Sequence, residues 1–459
     1  MSRKVLVVLL VLLVPLAWGV RWASQALEVA TGYSAKQLCS GVYLSKFDPD
    51  FVIENDIYLS MGVLGPLLSQ LELEVDTDHA RTRAKLLGVE SVAIYAGDEG
   101  CILNPLTPRA MMRMSIYEYA RNDQGWSPYA SETPSLMPVL DAAFAEPAEG
   151  QRRTLAVLVL HRGELIAERY AEGVGPLTKL QGWSMNKSLM STWIGIQVHR
   201  NILDLSTPIS EQLAFADPAL AAAIDPSLDL GHLLHMESGL DFEETYFPGD
   251  DATRMLYRSS AMWAVAPANG HRHPPGRHFS YSSGDTNLAS LVWQLSIPGP
   301  YHEWLQGYFV APLGLESMTS EHDAVGVQVG SSYTYMTARD WARVGQFWLD
   351  AWREGSELLP DGWMREATTP RPSATMGNYG RGFWLNAQGM DFPGLPRNLF
   401  YASGHNGQYV VVFPDEEVVV VRLGLSSGSA ASGITPLLEG VLATLPAPDP
   451  LAAAQPSGQ

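Results

Sequence analysis

Ser184 and Lys187 stand three residues apart in the run Gly182-Trp183-Ser184-Met185-Asn186-Lys187-Ser188. On a helix such a pair shares one face, a turn apart. An amine placed there can take the proton of a hydroxyl and make it a nucleophile. Arginine could not, because it stays protonated at any working pH. The chain holds 30 basic residues, of which six are lysines, and none of the other five follows a serine at this spacing. The pattern suggests acyl transfer by a Ser-Lys pair. The plainer reading is that Ser184 caps a helix and Lys187 is a solvated helix residue.

Two later segments add chemistry. In His278-Phe279-Ser280-Tyr281-Ser282-Ser283-Gly284, which follows a Pro274-Pro275-Gly276 turn, Tyr281 falls at the end of a loop. A tyrosine beside Lys187 can relay a proton to a leaving group. Ser403-Gly404-His405-Asn406-Gly407-Gln408 enters a valine-rich strand. Its edge can supply an oxyanion N–H, with His405 as a polar or cationic partner. The apolar Trp183, Met185 and Met190 suit a lysine that must shed its proton. Tyr281 also reads as a packed aromatic, and His405 as a satisfied strand histidine.

With these residues in view, the chain resembles the serine hydrolases related to class C β-lactamases and penicillin-recognising peptidases. Their pattern is S-x-x-K, then Y-x-N, then K-T-G or H-x-G. It resembles in particular the 6-aminohexanoate-dimer hydrolase branch and its esterase relatives. Leu233-Leu234-His235-Met236-Glu237-Ser238-Gly239-Leu240 resembles that family's LLxMxSGL stretch. Ser331-Ser332-Tyr333, Thr337-Ala338-Arg339-Asp340-Trp341-Ala342-Arg343 and Tyr379-Gly380-Arg381-Gly382-Phe383-Trp384 resemble further segments, in the same order, over roughly residues 135–446. The resemblance implies Ser184 as nucleophile, Lys187 as its base and Tyr281 as proton carrier. It implies that His405 and Gly407 take the third motif's place, with the Ser184 and Gln408 N–H groups as the oxyanion hole. Tyr246 falls where the dimer hydrolases carry a substrate-contacting tyrosine. Ser283 replaces the asparagine of Y-x-N, and no lysine makes a K-T-G. Both departures set the chain apart from true β-lactamases and favour esters or simple amides. A sensor or binding relative that acylates without turnover, and a D-amino-acid peptidase, are the alternatives.

The elements that must position these groups are also legible. Residues 184–202 read as a buried helix. Thr154–His161 and Leu165–Tyr170 are strand-like runs around Arg162-Gly163, a hairpin signal. Tyr409–Phe413 and Val418–Leu423 make a second hairpin around Pro414-Asp415-Glu416, and Leu437–Leu445 a closing helix. Leu136–Phe144 has helical spacing, and Thr337-Ala338-Arg339-Asp340 opens another helix with a capping signal. Strands at both ends with helices between favour an antiparallel sheet over a doubly wound one. The expected class is therefore α+β. The resemblance adds an α/β sandwich of the β-lactamase/transpeptidase kind, with an antiparallel sheet flanked by helices and an all-helical subdomain.

Residues 27–130 look different: Leu71–Val75 and Ser91–Tyr95 read as strands, and no constellation there carries chemistry. A small β-rich accessory lobe is expected, bounded by the polar Asn122–Pro134, with the hydrolase domain over 131–446 and a frayed tail over 447–459. Ahead of it, Arg3 and Lys4 precede an apolar run over residues 5–20 that Arg21 closes. Residues 1–26 read as an export signal or a membrane anchor, placing the folded part outside the cytosol, in the periplasm or tethered to the inner membrane. In such a compartment Cys39 and Cys101 pair more readily than they remain two buried thiols.

A formal charge of −19 sets nucleic acid aside as a partner. The expected partner is a small ester or amide, with no cofactor and no metal. His271, His273 and His278 lack a completing carboxylate or cysteine and read as a surface turn. Gly424-Leu425-Ser426-Ser427-Gly428 fits G-x-S-x-G, but no histidine follows it in the chain, as that triad order requires.

Overall fold

The computed structural model describes residues 3–106, 133–148, 150–371, 373, 377–428 and 430–445; of residues 3–18, 20 and 63 it describes the backbone alone. The central sheet has six antiparallel strands. Their order is β10 (Trp384–Leu385), β11 (Phe400–Gly404), β12 (Gln408–Phe413), β13 (Val418–Gly424), β5 (Thr154–His161) and β6 (Glu164–Tyr170). The valine runs of β12 and β13 do not alternate with polar residues because both faces of the sheet are covered. Val410, Val412, Val419 and Val421 join the core beneath the helix Ala338–Arg353, whereas Val411, Val418 and Val420 pack with the helices Met137–Phe144 and Ile434–Thr444. Gly345 lets the first helix lie close: a β-carbon there would approach Val419 and Val410 to 2.6 and 2.7 Å.

Both expected hairpins form. His161 pairs with Glu164 across Arg162 and Gly163, whose φ angles of 53° and 78° give the left-handed turn that suits strand twist. Thr337 caps its helix by accepting from the Asp340 N–H at 3.2 Å. A small sheet in the order β7 (Lys179–Gln181), β9 (Thr334–Thr337), β8 (Thr319–Ser320) leads into the Ser184 segment. Helices fill the layer between, among them Asn186–His199, Asp251–Arg258 and Ser283–Leu295. The architecture is α+β, as expected.

The amino-terminal region differs most from its sequence reading. A four-stranded antiparallel sheet, β1 (Glu72–Asp76), β2 (Arg81–Leu86), β3 (Val89–Tyr95) and β4 (Cys101–Leu103), is present. It packs on a helix that the sequence reading did not anticipate, Arg3–Tyr43, which runs unbroken past residue 26. Ala35, Leu38 and Cys39 of that helix join Ala84, Leu86 and Ala93 in the same core as the rest of the molecule. Cys39 and Cys101 form a disulfide with 6.0 Å between their α-carbons. Lys36, also on this helix, pairs with Glu321 of the main body, and both are fully buried. Glu321 further accepts from Ser40 Oγ at 3.0 Å and from the Cys101 N–H at 2.7 Å. The two regions are thus joined through a shared core and a buried ion pair.

Among the described residues no helix is long and apolar enough to cross a membrane. The side chains of residues 3–18 and 20, on which the export or anchor reading rests, lie outside that description, as do the tail over 447–459 and most of the boundary at Asn122–Pro134.

Candidate active site

The nucleophile candidate lies in a 3-10 turn, Trp183–Met185, immediately ahead of the helix Asn186–His199. Trp183 has φ 50°, rare for a bulky residue and costing about 1–3 kcal/mol where the surroundings enforce it. The enforcement is visible. A β-carbon on Gly182 would strike Trp341 at 2.2 Å, and one on Gly404 would strike the Gly182 carbonyl at 2.1 Å. Strand β11 therefore runs backbone against backbone beside the turn, which brings the end of the central sheet to Ser184.

Ser184 does not act as a side-chain cap. Its Oγ instead accepts from Lys187 Nζ at 3.0 Å. Lys187 is 2% exposed, so the solvated-lysine reading fails. Its second partner is Ser283 Oγ at 2.9 Å. Its Nζ also lies over the Tyr281 ring, 4.7 Å from the centroid, a cation–π distance. Tyr281 is held in turn by Trp384, with centroids 5.0 Å apart, and by Tyr379 at 5.8 Å. Packing and a place in the site are not alternatives for this ring. It has both.

The helix Ser283–Leu295 starts just after Tyr281, with Ser282 accepting from the Asp285 N–H at 3.0 Å as its cap. Burial pushes the Asp285 carboxyl up to about 7, and its Oδ1 accepts from Ser238 Oγ at 2.8 Å. Ser238 belongs to the Leu233–Leu240 stretch singled out in the sequence, whose part is thus to brace this helix start.

Sequence reasoning missed Glu244. Its carboxylate accepts from the Ser283 N–H at 2.6 Å, from Ser283 Oγ at 2.5 Å and from the Tyr246 hydroxyl at 2.6 Å. A chain of hydrogen bonds thus runs from Glu244 through Ser283 to Lys187 and Ser184. Tyr246, about half exposed, enters the site by this route and stacks on His405 at 6.0 Å. On its other side His405 meets Trp183 edge-on at 5.3 Å. Desolvation lowers the His405 pKa, which disfavours the cationic role considered for it, and the exposure of the residue to solvent limits that effect.

Gly407 and Gln408 shape the site from behind. The Gln408 amide is pinned to Gly424 on the neighbouring strand, accepting from its N–H at 3.0 Å and donating to its carbonyl at 2.5 Å. Gly407, at φ 77°, leaves room for Arg422, whose guanidinium donates to the Gly407 carbonyl at 2.7 Å. Arg422 was also missed. Fully buried, it is pushed down to about 10 by desolvation and holds the His405–Gly407 turn through carbonyl oxygens. Ser426, the centre of the G-x-S-x-G decoy, is a buried partner of this same arginine at 2.6 Å. His271 accepts from the Asp225 N–H at 3.1 Å, in a turn away from these groups.

Ser184, Tyr246, Tyr281 and His405 line one open cleft of about 500 Å³. A contact between a buried lysine and a half-buried serine that lines such a cleft is a geometry for nucleophilic attack.

Known proteins give the family and the fold. A model of the beta-lactamase family matches residues 140–435, well over half of the chain. This chain belongs to the beta-lactamase family. It is similar to the 6-aminohexanoate-dimer hydrolase of Paenarthrobacter ureafaciens, 27% identical over 295 residues that cover 59% of this chain and 72% of the relative. A Bacillus anthracis structure, provisionally described as a 6-aminohexanoate-dimer hydrolase, superposes with a TM-score of 0.55 at 20% identity, over 64% of this chain and 81% of that one. A penicillin-binding protein homologue from Caulobacter crescentus does so with a TM-score of 0.54 at 16% identity, over 69% and 99%. These likenesses between structures show a shared fold, and the family makes this protein a hydrolase. The family match begins at residue 140, so the helix Arg3–Tyr43 and its sheet lie outside it. The hydrolase carries them in addition.

Proposed function

We propose that this beta-lactamase-family hydrolase cleaves esters or simple amides of small molecules through an acyl-enzyme on Ser184. One observation carries the reading: Lys187 Nζ, buried, lies 3.0 Å from Ser184 Oγ. A base must be within hydrogen-bond reach of the proton it takes, and the same contact serves transfer in either direction. Lys187 removes the Ser184 proton as Oγ attacks the substrate carbonyl carbon. The backbone N–H groups of Ser184 and Gln408 are the ones the family resemblance offers to the developing oxyanion; the close approach of Gly404 in β11 to the Ser184 turn, with Gly404 paired to Gln408, is what brings this strand edge near. Tyr281, beneath the lysine, passes the proton to the leaving group as its bond to carbon breaks. Water then repeats the sequence and releases the acid.

Esters and simple amides are favoured because the Ser283 hydroxyl, where relatives of the Y-x-N type place a carboxamide, is engaged on both sides by Lys187 and Glu244. The charge-flanked run over residues 5–20 and the Cys39–Cys101 bridge support a site of action outside the cytosol. On this reading residues 27–130 are an accessory region to a hydrolase domain over 131–446.

The test is covalent. Brief exposure to a fluorophosphonate or a nitrophenyl ester, followed by mass spectrometry, is expected to label Ser184 and no other residue. Steady turnover of the ester marks an enzyme, and a single stoichiometric burst would reduce it to a binder. Ser184→Ala is expected to abolish both label and turnover with the fold intact; label elsewhere, or turnover in that variant, would remove Ser184 from the mechanism.

A further inference from the structure

The cleft does not end at His405 and Tyr246. Behind these two rings a second cavity of about 550 Å³ opens, and both residues line both spaces. Its far wall belongs to the amino-terminal region: Ala26, Val29 and Ala30 of the helix Arg3–Tyr43, with Leu59, Met61 and Leu64 from the segment that follows. Trp183, one residue before Ser184, lines it from the hydrolase side. Polar side chains, among them Gln151, Arg153, Asn406 and Ser427, line its other side, so the space is amphipathic and its hydrocarbon wall gains by meeting an apolar group.

We propose that this second cavity is a substrate compartment for a linear, apolar chain, so that the preferred substrates are esters or amides bearing a medium to long aliphatic group. The proposal rests on the acyl-enzyme reading of Ser184 and deepens it by naming the substrate class. Three observations carry it. The compartment adjoins the cleft that holds Ser184 across the exposed side chains of Tyr246 and His405, and on this proposal the substrate chain passes between them. One apolar wall of it, formed by Ala26, Val29, Ala30, Leu59, Met61 and Leu64, comes from residues outside the family match, so this chain adds that wall to the family's site. That lining is also fixed in place. Tyr33, on the same helix, bonds Ser60 Oγ at 2.8 Å as well as Asp56, and the Lys36–Glu321 pair anchors the helix one turn further on.

Two ester series test it: p-nitrophenyl esters of lengthening acyl chains, and acetates of lengthening primary alcohols. In one of them kcat/KM is expected to rise roughly fourfold per methylene over several methylenes, the gain from burying each in an apolar site. Ala30→Trp, which fills the compartment, and Leu59→Glu, which places a charge at its exposed rim, are each expected to flatten that rise. Leu59 is 44% exposed, so its replacement keeps the test usable if the Ala30 variant does not fold. No rise in either series, or a rise that Leu59→Glu leaves unchanged, would overturn the proposal. A second arm needs no turnover: Ser184→Ala protein is expected to bind dansylaminoundecanoic acid saturably, with displacement by decanoate. Absence of saturable binding would also overturn it. The arms separate the two readings. Binding without hydrolysis of any ester would sink the acyl-enzyme and keep the compartment, and hydrolysis with no dependence on chain length would do the reverse.

Discussion

Lys36 and Lys187 are the two fully buried lysines among the described residues, and they sit in similar surroundings. Each has a serine one helical turn away, Ser40 at 2.8 Å and Ser184 at 3.0 Å. Each lies over a tyrosine ring, Tyr333 at 4.4 Å and Tyr281 at 4.7 Å. The difference is the third partner. Lys36 meets the Glu321 carboxylate directly, whereas Lys187 meets the Ser283 hydroxyl, which stands between it and Glu244. Burial lowers the Lys36 pKa, and the Glu321 carboxylate in contact opposes that shift and favours the ion pair. A hydroxyl satisfies the amine in either protonation state and leaves it able to exchange a proton. A serine and a tyrosine near a buried lysine do not by themselves distinguish Lys187, since Lys36 has both; the lack of a directly contacting carboxylate does.

The strongest way to break the comparison is to exchange proton transfer for charge. Lys187→Arg keeps the charge and loses the base, so kcat/KM is expected to fall by roughly 10²–10⁴ while the melting temperature changes little. If that variant kept most of its activity, Lys187 would be no different in kind from Lys36. The mirror experiment is Lys36→Met, which leaves Glu321 buried without its cation. A stability loss of about 3–5 kcal/mol is expected, read by denaturant unfolding, with kcat of the folded fraction near that of the unmodified protein. A large loss of kcat with unchanged stability would move Lys36 from clamp to site.

Asp285 shows a third way of burying an ionisable group, since it has hydroxyl partners and its pKa is raised to about 7 from an ordinary value of 3.8. A carboxyl raised on folding contributes stability in its protonated form. That contribution is fully present below about pH 4 and is lost as pH rises through about 7. The unmodified protein is therefore expected to lose stability from this group between those limits, on the order of a few kcal/mol. Asp285→Asn is expected to flatten that part of the pH–stability curve and to be the more stable form at pH 8. Parallel curves for the two proteins would show that the carboxyl does not titrate there.

Ser184 and Lys187 were legible as a candidate pair because chemistry constrains their type and their spacing, and Tyr281 as a candidate because the family resemblance singles out its segment. The sheet was legible because covered strands must be apolar throughout. Glu244 was not, because one acidic residue of the Glu243-Glu244 pair looks like a solvated loop charge until the fold brings it to Ser283, 39 residues on. The helix Arg3–Tyr43 was hidden for a different reason. Gly32 and Gly41 weaken its helical signal, and both are there for close approach: a β-carbon on Gly32 would meet the Tyr257 carbonyl at 2.5 Å, and one on Gly41 would meet Val52 at 2.6 Å. Burial on several sides also removes the polar stripe by which a surface helix is recognised. Arg422 read as an ordinary strand residue because nothing local shows that its partners are carbonyl oxygens at the ends of other strands.

The smallest effect bears most directly on the comparison. Ser283→Ala removes the hydroxyl between Lys187 and Glu244 while leaving both groups in place. If that hydroxyl only orients the amine, one hydrogen bond of about 0.5–1.5 kcal/mol is lost, and kcat is expected to fall roughly three- to tenfold. Ser283→Thr restores an oxygen at the same place and is expected to recover most of the loss. A fall in kcat as deep as that of Lys187→Arg would mean that Ser283 itself carries the proton. The line between the two lysines would then run through the serine's own chemistry and not through the spacing it imposes.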